Sequence, residues 1–329
     1  MSTHAYVSTG RLPGAERVRE LVQEAFDRYR AVADGRVSDV YPALADASPD
    51  AFAISVVSTG GDVFDVGDAT GELTIMSVAK PFVFALVCAA RGPEEVRDLV
   101  GVNATGLPFN SVDAVERTVD GRTNPMVNAG AIATTSLVPG GTSEERWAFL
   151  LDGLSRFAGR RLELHEDVYR SASETNHINR AIASLLVTRD RIRGDAAEAL
   201  DLYTRQSSLS VTAHDLAVMG ATLADGGVNP VTGERVVDAR TCHHALAVMM
   251  TAGFYETSGD WLYDVGLPGK SGIGGGIVTV APGKGGLGTF SPLLDDAGNS
   301  VRGQLAARFL SRALGLDLFA SDPVTAVHP

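Results

Sequence analysis

The segment PFVFALVCAA, Pro81 to Ala90, is apolar nearly all round. A helix with no polar face is stable only inside a domain, covered from every side. The remainder of the chain has to supply that cover. Just before this segment, LTIMSVAK places Ser77 and Lys80 three residues apart where the helix begins, with Pro81 soon after. On a helix the two side chains point to one side, one turn apart. A hydroxyl becomes a nucleophile when a neighbouring base takes its proton, and a lysine kept unprotonated by burial or by a second cation can contribute. The helix N-terminus adds partial positive charge for a developing oxyanion. The same S-x-x-K spacing also fits a capping serine followed by a solvent-facing lysine, so the pair alone leaves both possibilities open.

The pattern around the helix indicates what covers it. Ala15 to Ala31 has amphipathic spacing, with Val18, Leu21, Val22, Phe26 and Tyr29 on one side. Ala51 to Val57 and Asp62 to Val66, joined by STGG, predict an antiparallel hairpin. Residues of about 85 to 250 read as helical, including Ser143 to Phe157 with Thr142 or Ser143 as cap, Asp167 to Val187, and Val211 to Leu223. Strand character returns in WLYDVGL, GGGIVTVAPG and GLGTFSPLL, and VRGQLAARFLSRALGL closes with an amphipathic helix. Strands at both ends with helices between them predict an α+β fold, with one central antiparallel sheet built from N- and C-terminal segments, flanking helices and an inserted helical lobe. The expected lobes are residues 14–84 with 251–318 for the sheet and 85–250 for the helices, with flexible tails at 1–13 and 319–329. Ser77 would lie in the cleft between them.

A chain of 329 residues can bury a large core, and its net charge of -12 disfavours nucleic acid or an anionic membrane as the main partner. The N-terminus MSTHAYVSTGRLPG lacks the apolar core of a signal peptide, and no apolar run is long enough for a membrane span. Only Cys88 and Cys242 are present, both in apolar surroundings, which suits free thiols in a reducing cytoplasm. No histidine has a second histidine or cysteine at metal-site spacing, so no metal is expected.

Several polar residues invite a role. Asn124 and Asn128 bracket a proline and could recognise an amide or an oxyanion, or could simply cap turns. Tyr41 beside Pro42, and Tyr203 near a helix end, could form a pocket wall and a proton-transfer group, or could be packed structural tyrosines. LPGKSGIGGG brings Lys270, Ser271 and Gly272 to the start of a late strand, a cation and a hydroxyl suited to a carboxylate or carbonyl. It is not a phosphate loop, because the lysine precedes the glycine cluster.

S-x-x-K early and K-[ST]-G late, enclosing a helical lobe, resemble the serine-reactive hydrolases of the β-lactamase and penicillin-binding class. Within that class the chain is most similar to the bacterial and mitochondrial glutaminases. The phrases that carry the resemblance are SVAKP at Ser77 to Pro81, TGLPFN at Thr105 to Asn110, NPMVNAGAI at Asn124 to Ile132 and DLAVMGATLADGGVNPVTGERV at Asp215 to Val236. GFYETSGDWLYDVGLPGKSGIGGGI at Gly253 to Ile277 and SPLLDDAGNSVRG at Ser291 to Gly303 complete the set, so that it covers about residues 15 to 315 in order.

The resemblance implies a β-lactamase-like fold and hydrolysis of the side-chain amide of L-glutamine to L-glutamate and ammonia, with neither metal nor organic cofactor. Ser77 would be the nucleophile, Lys80 its neighbour in proton handling, Tyr255 the adjacent acid or base, and Tyr203 a second active-site tyrosine. Asn128 and Asn179 would hold the amino-acid end of the substrate, and the backbone of Ile273 would face the reacting carbonyl, with the Ser77 amide as the other oxyanion donor. A homodimer or homotetramer is implied on the same ground. The chain departs from the family pattern at three places: Ala172 stands where a glutamate meets the substrate ammonium, Val40 replaces the tyrosine of D-Y-x-P with Tyr41 displaced by one, and Met76 replaces a glutamine. Glu174 is the expected substitute for the missing carboxylate. A serine amidase or esterase acting on another small substrate, or a noncatalytic ligand-binding relative, are the alternatives.

Overall fold

The structure, a computed structural model, describes residues 12–118 and 120–321. The tails expected at 1–13 and 319–329 lie mostly outside the described residues.

The chain opens with helix α1 (Ala15–Tyr29), whose buried residues Val18, Leu21, Val22 and Ala25 repeat with helical period, followed by strands β1 (Ala53–Ser58), β2 (Val63–Gly67) and the short β3 (Leu73–Thr74). A single 3₁₀ turn, Met76–Val78, leads into α2 (Ala79–Arg91). Helices α3 (Pro93–Val100), α4 (Asp113–Glu116), α5 (Asn128–Thr135) and α6 (Ser143–Ala158) come next. Then follow β4 (Glu163–Leu164), α7 (Glu166–Thr175), α8 (His177–Thr188), α9 (Ala196–Ser207), β5 (Leu209–Val211), α10 (Ala213–Ala224) and α11 (Ala239–Ala252). The last part is α12 (Ser258–Val265), β6 (Gly269–Ser271), β7 (Gly276–Ala281), β8 (Gly285–Phe290) and α13 (Val301–Ala313).

The main sheet has the order β2-β1-β8-β7-β6 and every pairing in it is antiparallel. Early and late segments therefore share one sheet, as the two ends of the sequence predict. One face is covered by α1, α12 and α13 through a cluster that includes Leu21, Phe52, Ile54, Phe254, Trp261, Ile277 and Leu310. The larger core surrounds α2, whose residues from Ala79 to Cys88 are all buried. That burial is what a helix without a polar face requires.

Three features differ from the sequence expectation. WLYDVGL is not a strand: it belongs to α12, where Trp261 and Val265, four residues apart, both turn inward while Tyr263 is exposed. The middle of the chain also carries β4 and β5, and β5 pairs with both β3 and β4 in a three-stranded sheet. Helix α10, placed by the sequence in the helical lobe, lies directly on the main sheet. Its backbone approaches β8 so closely that a Cβ at Gly286 would stand 2.2 Å from the Ala217 carbonyl oxygen and one at Gly288 would stand 2.1 Å from that of Ala213. Only glycine fits at such a crossing.

Candidate active site

Ser77 sits in the 3₁₀ turn between β3 and the buried helix α2, and it is not a cap, since no side-chain capping bond is formed there. Met76, just before it, has φ of 46°, a left-handed conformation that costs a non-glycine residue about 1–3 kcal/mol and is stored where the surroundings impose it. The surroundings here are the chain after β6. A Cβ on Gly272 would lie 3.2 Å from the Ser77 backbone nitrogen, and one on Gly274 would lie 2.5 Å from the Thr74 carbonyl oxygen. The segment Gly272–Gly274 thus presses against the turn that presents Ser77, and Ile273 joins Ser77 in lining a cleft.

Lys80 is 2% exposed, which rules out the solvent-facing lysine. Its Nζ donates to Asn128 Oδ1 at 2.7 Å and lies 5.8 Å from the ring centres of both Tyr203 and Tyr255. Burial strips the ammonium of water and lowers its pKa to about 7. Lys270, fully buried, stands 3.9 Å over the Tyr255 ring and donates to the Ser271 carbonyl oxygen at 2.6 Å. Burial, and then the charge of Lys80, push its pKa well down. Tyr255, also at a positive φ of 58°, donates its hydroxyl to the Ser271 carbonyl oxygen at 3.2 Å and packs against Phe109 at 5.0 Å between ring centres. Its pKa is raised to about 12 by burial, against which the neighbouring Ser77 and Ser271 act to lower it.

A directed row of side chains leaves Lys80. Asn128 Oδ1 accepts from Lys80 and, at 3.0 Å, from the Tyr203 hydroxyl; Asn128 Nδ2 donates to Asn179 Oδ1 at 2.8 Å. Asn179 Nδ2 then donates to Asn176 Oδ1 at 2.5 Å, and Asn176 Nδ2 to Thr204 Oγ1 at 3.2 Å. Local structure positions each member: Asn128 starts α5 with its backbone N–H donating to the Phe109 carbonyl oxygen at 2.8 Å, and Asn176 breaks α7 from α8. Asn124, by contrast, serves its turn, accepting from Met126 N and donating to Asn103 O, both at 2.9 Å.

Ser77, Asn128, Asn179, Tyr203, Tyr41 and Ile273 line one cleft of about 140 Å³, together with Met76, Ala172 and Phe109. Two sequence expectations are corrected. Glu174 is exposed and does not line the cleft: on α7 it is two positions, more than half a turn, from Ala172, which does. Lys270 and Ser271 do not line the cleft either: their polar atoms are engaged behind Tyr255, with Ser271 Oγ donating to Asn299 Oδ1 at 2.5 Å. Asn176, in the turn-to-helix transition of Asp167 to Val187, drew attention in the sequence but was assigned no role, while Thr204, Phe109 and Asn299 were not singled out. Phe109 and Asn299 lay inside phrases already marked, and nothing in residue type distinguished Thr204. Among the described residues no cluster of three or more His, Cys, Asp or Glu is arranged to hold a metal ion, and no helix is long and apolar enough to cross a membrane.

A serine at the mouth of a buried helix, beside a buried lysine and a buried tyrosine and faced by the start of a K-S-G strand, stands here in an α+β fold of β-lactamase-like architecture, the architecture of a class of hydrolases. The sequence model of the Glutaminase family matches residues 35–319, and the chain belongs to that family. It is 67% identical over 320 residues to Glutaminase 2 of Yersinia pestis, an alignment covering 97% of this chain and 94% of that one. The solved structure of the probable glutaminase ybaS superposes with a TM-score of 0.92 at 42% identity, covering 94% of this chain and all of the other. A structure of Mglu in its glutamate form does so with a TM-score of 0.86 at 36% identity, covering 97% of this chain and 71% of that one.

Proposed function

We propose that the chain hydrolyses the side-chain amide of L-glutamine to L-glutamate and ammonia through an acyl-enzyme on Ser77. Family membership supports the reaction, and the observation that carries the mechanism is the pair of buried groups whose acidities are pushed apart. Lys80, lowered to about 7, is largely a free amine just above neutral pH, whereas Tyr255, raised to about 12, is a phenol throughout that range. The amine is therefore the resting base and the phenol the relay and acid. Ser77 Oγ attacks the carboxamide carbon, and its proton passes by way of Tyr255 to the Lys80 amine. The backbone N–H groups of Ser77 and Ile273 receive the oxyanion. The C–N bond breaks as the leaving nitrogen takes a proton from the tyrosine, and ammonia departs. Water then attacks the glutamyl ester, surrendering its proton along the same route, and Ser77 is regenerated. Asn128, Asn179, Tyr203 and Tyr41 hold the carboxylate end of the substrate. Lys270 holds Tyr255 in place from behind.

The family resemblance supports action as a homodimer or homotetramer, and two buried free thiols suit a reducing cytoplasm. Pure protein incubated with L-glutamine should release ammonia and glutamate in equal amounts, with a Ser77→Ala variant inactive. Absence of glutamate at high enzyme loading would sink the reading.

A further inference from the structure

Among the described residues, no charged side chain lines the cleft. Its lining consists of hydroxyls, asparagines, aromatic rings and the apolar side chains of Val40, Met76, Ala172, Ile178 and Ile273. The asparagine row is also polarised. Lys80 and the Tyr203 hydroxyl both donate to Asn128 Oδ1, which turns the Asn128 amide hydrogens toward Asn179 and in turn fixes the orientation of Asn179 and Asn176. A carboxamide nitrogen has two hydrogens. Each asparagine commits one of them to the next acceptor in the row and keeps a second, while its carbonyl oxygen is engaged within the row. Such a wall offers N–H donors to a carboxylate. It offers no anion to an ammonium group, and Ala172 in the lining contributes only a buried methyl.

The rim points the same way. Val40 and Ile178 line the cleft and are each 50% exposed, two large apolar side chains left uncovered at its opening. Unlike the closed floor beneath, an opening of this kind can pass a substituent outward.

We propose that the cleft prefers glutamine-type amides that keep the α-carboxylate but have an acylated, uncharged α-nitrogen, with the acyl group resting on Val40 and Ile178. This rests on the Ser77 amidohydrolase reading above. Acylation removes the one charge that the wall does not match and adds the apolar surface that the rim does.

The test is ammonia release from N-acetyl-L-glutamine and from L-glutamine, compared as kcat/KM, with Ser77→Ala as the blank. The expected ratio favours the N-acetyl compound by tenfold or more. Any ratio above one supports the proposal, and a ratio of one or below overturns it while leaving the glutaminase reading intact. Ammonia from neither substrate removes the amidohydrolase reading itself. Two variants locate the cause. Ala172→Glu should lower the ratio at least tenfold by placing an anion in the wall. Ile178→Asp does the same at the rim, on an exposed position where folding is not at stake. An unchanged ratio in folded Ile178→Asp would overturn the assignment of the rim.

Discussion

The two sides of the cleft are built on different principles. The reacting side, Ser77, Lys80, Tyr255 and Lys270, is buried, carries two lysines held only by neutral oxygens, and is framed by two non-glycine residues with positive φ, Met76 and Tyr255. The recognition side, from Val40 through Ala172 and Ile178, is neutral, partly exposed and largely free of such strain. Chemistry needs groups whose positions and acidities the fold over-determines. Selection among substrates needs only a surface, and a surface can be altered by single substitutions without disturbing what lies beneath it.

The contrast can be broken most sharply at the nucleophile. Ser77→Ala should lower kcat by about 10⁴-fold or more with the protein still folded, because a group that acts as a unit with its base is not replaceable; retention of more than a few percent of activity would show that the reacting side has been misassigned. Tyr255→Phe keeps the ring under Lys270 and removes only the hydroxyl, so the expectation is a loss of about 10²–10⁴-fold in kcat, the range of a lost acid-base group, with KM little changed.

The acidity of Lys80 gives a third test. Below about pH 7 it is protonated and cannot accept the serine proton, so kcat/KM should rise about tenfold per pH unit up to that point and level off above it. A flat profile from pH 5 to 8 would break the assignment of Lys80 as base. On the recognition side effects should be smaller. Asn176→Ala removes a link three hydrogen bonds from Lys80 and should raise KM by about 5- to 30-fold, matching one or two kcal/mol of lost hydrogen bonding, with kcat within a factor of about three. Val40→Ala, at a half-exposed position, should change unfolding free energy by no more than about 0.5 kcal/mol.

The reacting side was also the more legible in the sequence, for a physical reason. An apolar helix has to be buried, which made a serine and a lysine at its mouth conspicuous, and the long phrases that include SVAKP and GKSGIGGG, matched in order along the chain, were what removed the choice of a solvent-facing lysine. The pairing of β1 with β8 followed from strand character at both chain ends. The three-stranded sheet was missed because its strands have two or three residues, too short to display an alternation. WLYDVGL was misread because Trp261 and Val265 satisfy a period of two as well as a helical spacing of four. The contact of α10 with the sheet depends on the absence of side chains at Gly286 and Gly288, and an absent side chain does not name its neighbour. Glu174 failed as a replacement for the same geometric reason that Ala172 succeeds in lining the cleft: consecutive even positions on a helix face apart.

The press of Gly272 and Gly274 against residues 74–77 has a consequence for how the site comes into being. The parts that meet there are separated by nearly two hundred residues, and the strands that bring them together, β1 and β8, close an even longer loop. Contacts between such distant segments form late, after the cost of closing the loop has been met. During synthesis Ser77 and Lys80 emerge early, and β5 can hold the start of the turn through its pairing with β3 and the Ile75 N–H, which donates to the Leu209 carbonyl oxygen, yet the Gly272–Gly274 side of its packing is missing until the last strands arrive. The proposed nucleophile therefore acquires its complete setting only when the main sheet is finished.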